Sequence, residues 1–199
     1  MRGLIWARRS IDASAVAPDH CGMSKWKNHI VLDVESDGPA AGLYNMISFG
    51  LVSVADPANA FLGEVAPVLE SAGVQQARDV VGVSYEQQKG YRAPEVVMRE
   101  AVGWVNKLTE GKRAVFWSDN PAFDWQFWNW HCHKYVGDNP GGFSARRIGD
   151  LDAGRRGEPL NTSAFKKRRE TAHTHNPVDD ARGNAEALRW VLEQMGEKL

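Results

Sequence analysis

Three short signals carry the reactive side chains of this chain. They are Asp33-Val34-Glu35, Asn120-Pro121-Ala122-Phe123-Asp124 and His175-Asn176-Pro177-Val178-Asp179-Asp180. In order they read D-x-E, D and H-x4-D, which offers four carboxylates and one histidine. Hard oxygen donors of this kind suit two Mg²⁺ or Mn²⁺ ions, and an imidazole suits a general base. Together they are what hydrolysis of a phosphodiester requires. The constellation therefore points to a metal-dependent nuclease.

Side chains at i and i+2 of a strand share a face, so Asp33 and Glu35 should project together. Two adjacent carboxylates repel unless a cation lies between them. The apolar run Ile30-Val31-Leu32 before them argues against casual solvent exposure. Asp124 alone reads equally well as an acid that complements the positive end of a helix. Its weight comes from the preceding strand, which should deliver it near Asp33 and Glu35. In the third signal histidines and aspartates occur in pairs, so His173 and Asp179 compete with His175 and Asp180.

These residues need a frame. The chain has 199 residues, 43% hydrophobic and 25% charged, which suits one domain with a substantial core. A net charge of −1 excludes a basic coat for nucleic acid, but not an enzyme whose positive charge is local. Cys21 and Cys132 form no C-x-x-C pair, so neither a disulfide framework nor a zinc ribbon is expected. No apolar run is long enough to span a membrane, and the N-terminal stretch is too short for a secretory core. A cytoplasmic protein is the default expectation.

Residues 1–27 show no periodicity and read as a poorly structured extension, with the domain over 28–199. Residues 1–22 carry neither chemistry nor core pattern. Strands are expected at His29–Glu35, Met46–Val54 and Phe61–Val68. A helix should follow over Ala93–Leu108, with Pro94 in its first turn and Gly111 as its stop. A fourth strand lies within Arg113–Ser118, and a helix begins at Pro121 or Ala122 and runs to about Tyr135. Arg147–Leu151 is expected as a short fifth strand. The last helix should run from near Val178 to about Met195. This order, β-β-β-α-β-α-β-α, predicts an α/β fold with a mixed five-stranded sheet flanked by helices.

Order and motifs together resemble the ribonuclease H-like fold and, within it, the DEDDh (DnaQ-like) 3′→5′ exonucleases. That superfamily includes the proofreading subunit, ribonuclease T and oligoribonuclease, and the last two are the nearest type. The resemblance covers roughly residues 28–195. It implies 3′→5′ hydrolysis of single-stranded RNA or DNA with two Mg²⁺ or Mn²⁺ ions and release of nucleoside 5′-monophosphates. It selects His175 and Asp180 from the paired candidates. Asp33 then serves both ions, Glu35 and Asp180 the nucleophile side, and Asp124 the leaving-group side. His175 takes the proton of the attacking water, a task that suits a neutral imidazole near pH 7. Partners implied are single-stranded nucleic-acid 3′ ends, no membrane, and a homodimer as an open expectation.

Substrate contacts are less sharply written. Phe123 and the aromatics of Trp125–Trp130 read chiefly as core, with a minority stacking on bases. Lys166, Lys167 and Arg168 precede the histidine loop and are candidates for phosphate contact. Arg147 and Asp150 should form a structural salt bridge. A zinc site built from His131, His133, His173 and His175 is a poor rival, since i and i+2 on a helix do not face one another. The competing reading from another class is a catalytically silent nucleic-acid-binding module on the same fold.

Overall fold

The computed structural model describes residues 25–199. The expected extension over 1–27 therefore lies mostly outside the described residues. Within them, Trp26 is buried and packs edge-on against His29.

Five strands form one mixed sheet: β1 (His29–Ser36), β2 (Met46–Ser53), β3 (Ala60–Glu64), β4 (Val115–Ser118) and β5 (Ala145–Arg147). Their spatial order is β3-β2-β1-β4-β5. β1, β2 and β3 form an antiparallel meander, whereas β4 and β5 run parallel to β1. The helices are α1 (Gln75–Val81), α2 (Tyr85–Lys89), α3 (Pro94–Thr109), α4 (Pro121–Tyr135), α5 (Ile148–Arg156) and α6 (Pro177–Gln194), with a 3₁₀ turn at Ala164–Arg168. Among the described residues no helix is long and apolar enough to cross a membrane.

Alternation along the central strand sorts two cores. Ile30, Leu32 and Val34 face one side with Phe49 and Leu51 of β2. There they meet Val97, Met98, Ala101 and Val105 of α3 and Phe127 and Trp128 of α4. Val31 faces the other side with Val52 and Trp117, against Ala181, Ala185, Leu188 and Val191 of α6. Asp33 and Glu35 continue the second face, so the strand that anchors both cores also aims its carboxylates toward α6.

Two expected features differ. The fifth strand is Ala145–Arg147, earlier and shorter than expected, and Ile148 opens α5 instead. Ile148 and Leu151 were compatible with either state, but Asp150 in a first turn and left-handed Gly157 at the stop fit a helix. The third strand ends at Glu64, and the stretch up to Val81 supplies a loop and α1. The salt bridge expected between Arg147 and Asp150 is present at 3.4 Å.

Candidate active site

The carboxylates meet at the C-terminal ends of β1 and β4. β4 pairs with β1 only as far as Val31–Trp117. The Val34 N–H, further along β1, donates instead to Asp124 Oδ1 at 3.1 Å. The other Asp124 oxygen accepts from the Ser118 hydroxyl at the end of β4. Asn120 and Pro121 start α4 so that Asp124, in its first turn, reaches over the strand ends. Asp124 is thus tied to both strands by hydrogen bonds.

Asp180 arrives from the opposite face. The Asn176 side chain accepts from the Val178 and Asp179 amides, and Pro177 occupies the first helical turn of α6. Buried Asp180 accepts from the Thr174 N–H at 2.9 Å and the His175 N–H at 3.1 Å. The helix can come this close because β2 has no side chain below it. Gly50 is the cross-strand partner of Asp33, and a Cβ there would lie 2.1 Å from the Pro177 carbonyl oxygen.

One carboxylate oxygen each from Asp33, Glu35 and Asp180 lies within 4.8 Å of the others. Asp124 is outside that group, on the β4 side. Charge crowding is evident in the acidities. Burial, then Asp124, Glu35 and Asp180, hold Asp33 well above the usual carboxylate range, with Arg169 opposing. Burial, Asp180 and Asp124 push Glu35 up to about 8. Burial raises Asp124 to about 7 against the hydrogen bonds from Ser118 and Val34. Buried acids with no cation of their own favour the protonated form. An all-oxygen donor set in this state fits a hard divalent cation, which would supply the missing charge.

His175 sits on the loop before α6 with φ 60°, a left-handed conformation that costs a β-carbon-bearing residue about 1–2 kcal/mol. Its Nδ1 is 3.9 Å from Glu35 Oε1, and its side chain is 42% exposed. His173, the competing histidine of the same loop, also reaches the cluster. The structure places its Nδ1 2.8 Å from Asp180 Oδ2, with its ring 4.5 Å from that of His175. His131, in contrast, is buried in α4 with Nδ1 against the Phe127 carbonyl. Among the described residues no ligand grouping joins His131 or His133 to the histidine loop.

Beside Glu35 lies a cleft of about 400 Å³, lined by Phe123, Pro39, Val74, Ala77 and Val80. Its outer wall is α1, a helix with no side-chain cap and one buried residue, Arg78. Arg78 Nη2 donates to Asp37 Oδ2 at 2.6 Å and to Gln88 Oε1 at 2.8 Å. The two charged side chains are 1% and 0% exposed. Asn45 completes the network, with its side chain and backbone both donating to Asp37. Asp37 follows Glu35 by two residues, so one buried ion pair fixes the cleft wall relative to the carboxylates. Nothing local in the chain marks that pairing, because its partners are 41 residues apart.

The basic run divides. Lys166 pairs with Asp119 at 2.5 Å, next to Asn120 and Arg147 at the start of α4. Lys167 and Arg168 line a different surface, where Arg168 stacks on Trp190, ten positions past Asp180 along α6. Of the helix aromatics, Phe127 and Trp128 are core, and Phe123 packs on Phe127 while lining the cleft.

A ribonuclease H-like sheet with carboxylates at the ends of β1, α4 and α6 defines a class of metal-dependent nucleases. No family model matches the chain. A curated protein of Escherichia coli, the 3′-5′ DNA exonuclease Cap18, is 32% identical over 176 residues, covering 85% of this chain and 93% of the relative. The nuclease domain of 3′hExo, a DEDDh family member bound to rAMP, superposes with a TM-score of 0.63 at 16% identity. That match covers 89% of this chain and 97% of the other. E. coli Exonuclease I in complex with a dT13 oligonucleotide superposes at 0.64 with 13% identity, over 84% of this chain and 41% of that one. The chain belongs to the DEDDh 3′→5′ exonuclease superfamily. It is a hydrolase that removes nucleotides from nucleic-acid 3′ ends.

Proposed function

We propose that this chain degrades single-stranded DNA from its 3′ end with two Mg²⁺ or Mn²⁺ ions, releasing nucleoside 5′-monophosphates. The observation that carries the metal reading is the meeting of Asp33, Glu35 and Asp180 within 4.8 Å, with Asp124 held on the β4 side. The preference for DNA is supported by the relative of 32% identity, a DNA exonuclease.

In this reading Asp33, Glu35 and Asp180 would hold one ion, and Asp33 with Asp124 would hold the other. Ions held there would stabilise charge on the attacking and leaving oxygens. The half-exposed imidazole of His175 accepts the proton of the attacking water. The water oxygen bonds to phosphorus while the bond to the 3′ oxygen of the preceding nucleotide breaks, and that oxygen takes up a proton. Phe123 and the α1 wall grip the terminal nucleoside. Lys166, paired with Asp119 at the α4 side of the site, would contact a phosphate of the strand. Lys167 and Arg168, around the flank of α6, would touch only a more distant stretch of strand.

The test is digestion of matched 3′-labelled single-stranded DNA, single-stranded RNA and duplex DNA, with Mg²⁺ and with chelator. Single-stranded DNA should be trimmed fastest, only with metal, and Asp33→Ala should abolish trimming. Faster RNA trimming would overturn the substrate assignment. Full activity in chelator would overturn the metal assignment, and binding without cleavage would mean a silent module.

A further inference from the structure

We propose that His173, His175 and Asp180 form a second metal site, selective for zinc or a similar imidazole-seeking transition ion, whose occupation switches the exonuclease off. The inhibitory part rests on the proposed roles of His175 and Asp180. The site itself rests on geometry. One ligand atom from each of the three residues lies within 4.8 Å of the other two. His173 Nδ1 is already 2.8 Å from Asp180 Oδ2. Tetrahedral zinc with bonds of about 2.0–2.1 Å places its ligands roughly 3.3–3.5 Å apart. Both imidazoles are about half exposed, which leaves room for the ring rotations that spacing needs.

The surroundings support the carboxylate as a ligand. Asp180 is buried and fixed by the Thr174 and His175 amides, and such outer contacts orient a metal-binding group. The left-handed backbone at His175 brings its ring to 4.5 Å from that of His173. Donor chemistry then separates two overlapping sets. Asp33, Glu35 and Asp180 offer only oxygen and suit Mg²⁺, while two nitrogens and one oxygen suit zinc. Asp180 belongs to both sets. Zinc on the histidine side would engage the lone pair His175 needs for the attacking water and withdraw Asp180 from the carboxylate cluster.

The experiment uses the full chain and two readouts. Zinc binding is measured by calorimetry without substrate or Mg²⁺. Trimming of 3′-labelled DNA in Mg²⁺ is then measured against added zinc. The variant is His173→Gln, which keeps an N–H to donate to Asp180 but presents no imidazole lone pair. Wild type should bind zinc and lose at least tenfold in rate at saturating zinc. His173→Gln should bind about tenfold or more weakly, and should keep its Mg²⁺ rate at zinc concentrations that silence wild type. Absence of zinc binding to wild type would overturn the site. So would equal binding and inhibition in the variant, which would put the ion among Asp33, Glu35 and Asp180. If wild type shows no Mg²⁺ activity the exonuclease mechanism fails, while calorimetry still decides whether His173 is a ligand.

Discussion

Replacing Glu35 with Gln should abolish cleavage and yet stabilise the metal-free protein, increasingly so as pH rises. Glu35 goes from an ordinary 4.5 to about 8 in the fold, through burial and the Asp180 and Asp124 carboxylates. A raised acid is bound to its proton more tightly in the folded state. Its contribution to stability is therefore intact below about pH 4.5 and is lost as pH climbs through about 8. The interval from 4.5 to about 8, at about 1.36 kcal/mol per pH unit, corresponds to about 5 kcal/mol. The Glu35 side chain is only 13% exposed, so solvent screening trims this little. Gln has nearly the same shape and no proton to lose. Wild type and Glu35→Gln should thus unfold alike near pH 4.5 and differ by ~3–5 kcal/mol at pH 8.5. Urea unfolding in chelator, followed by tryptophan fluorescence, measures the gap. Burial holds His29 and His131 down to about 4, so both weaken the fold as pH falls below their unfolded value. Both are common to the two proteins and cancel in the difference. Saturating Mg²⁺ should shrink the gap by compensating the carboxylate charge. A gap that does not widen with pH, or a Gln variant less stable than wild type at pH 8.5, would refute the crowded-carboxylate account.

His175→Ala should lower the Mg²⁺-driven rate by about 10² to 10⁴ in trimming of 3′-labelled DNA. His173→Gln should stay within a few fold in the same assay, and the reverse ranking would move the base two residues upstream. Arg78→Met leaves Asp37 charged and buried, so it should cost ~3–5 kcal/mol in urea unfolding. In the fraction still folded, KM for DNA ends should rise more than kcat falls, because the change frees the cleft wall rather than the carboxylates. A chain starting at Met23 should unfold at the same urea concentration as the full chain. Trp26→Ala should lose ~3–5 kcal/mol through the cavity it leaves.

Much of the fold could be read because its elements satisfy local rules. β1 is an apolar run ending in two acids, and α3, α4 and α6 each begin with a proline that suits a first turn. The stretch from Val65 to Arg92 was opaque. α1 has no apolar stripe, and the residue it buries is an arginine. Its stability comes from Asp37, whose position only the folded chain supplies. α2 did carry a local signal, the reciprocal capping of Ser84 and Gln87. At the candidate site, residue types and spacing pointed to the carboxylates. The approach of His173 to Asp180 could not be anticipated, since it depends on a left-handed residue between them.

Gly50 gives inactivation a route that spares every reactive atom. It lies across the strand pair from Asp33, directly beneath the Pro177 carbonyl. A single methyl group there would have to lift the first turn of α6, and Asp180 and the histidine loop would move with it. A relative could therefore retain Asp33, Glu35, Asp124, His175 and Asp180 and still be inert. Sorting active from decayed members of this superfamily by their carboxylates alone would misplace such a protein, and the residue opposite the first aspartate belongs in the inspection.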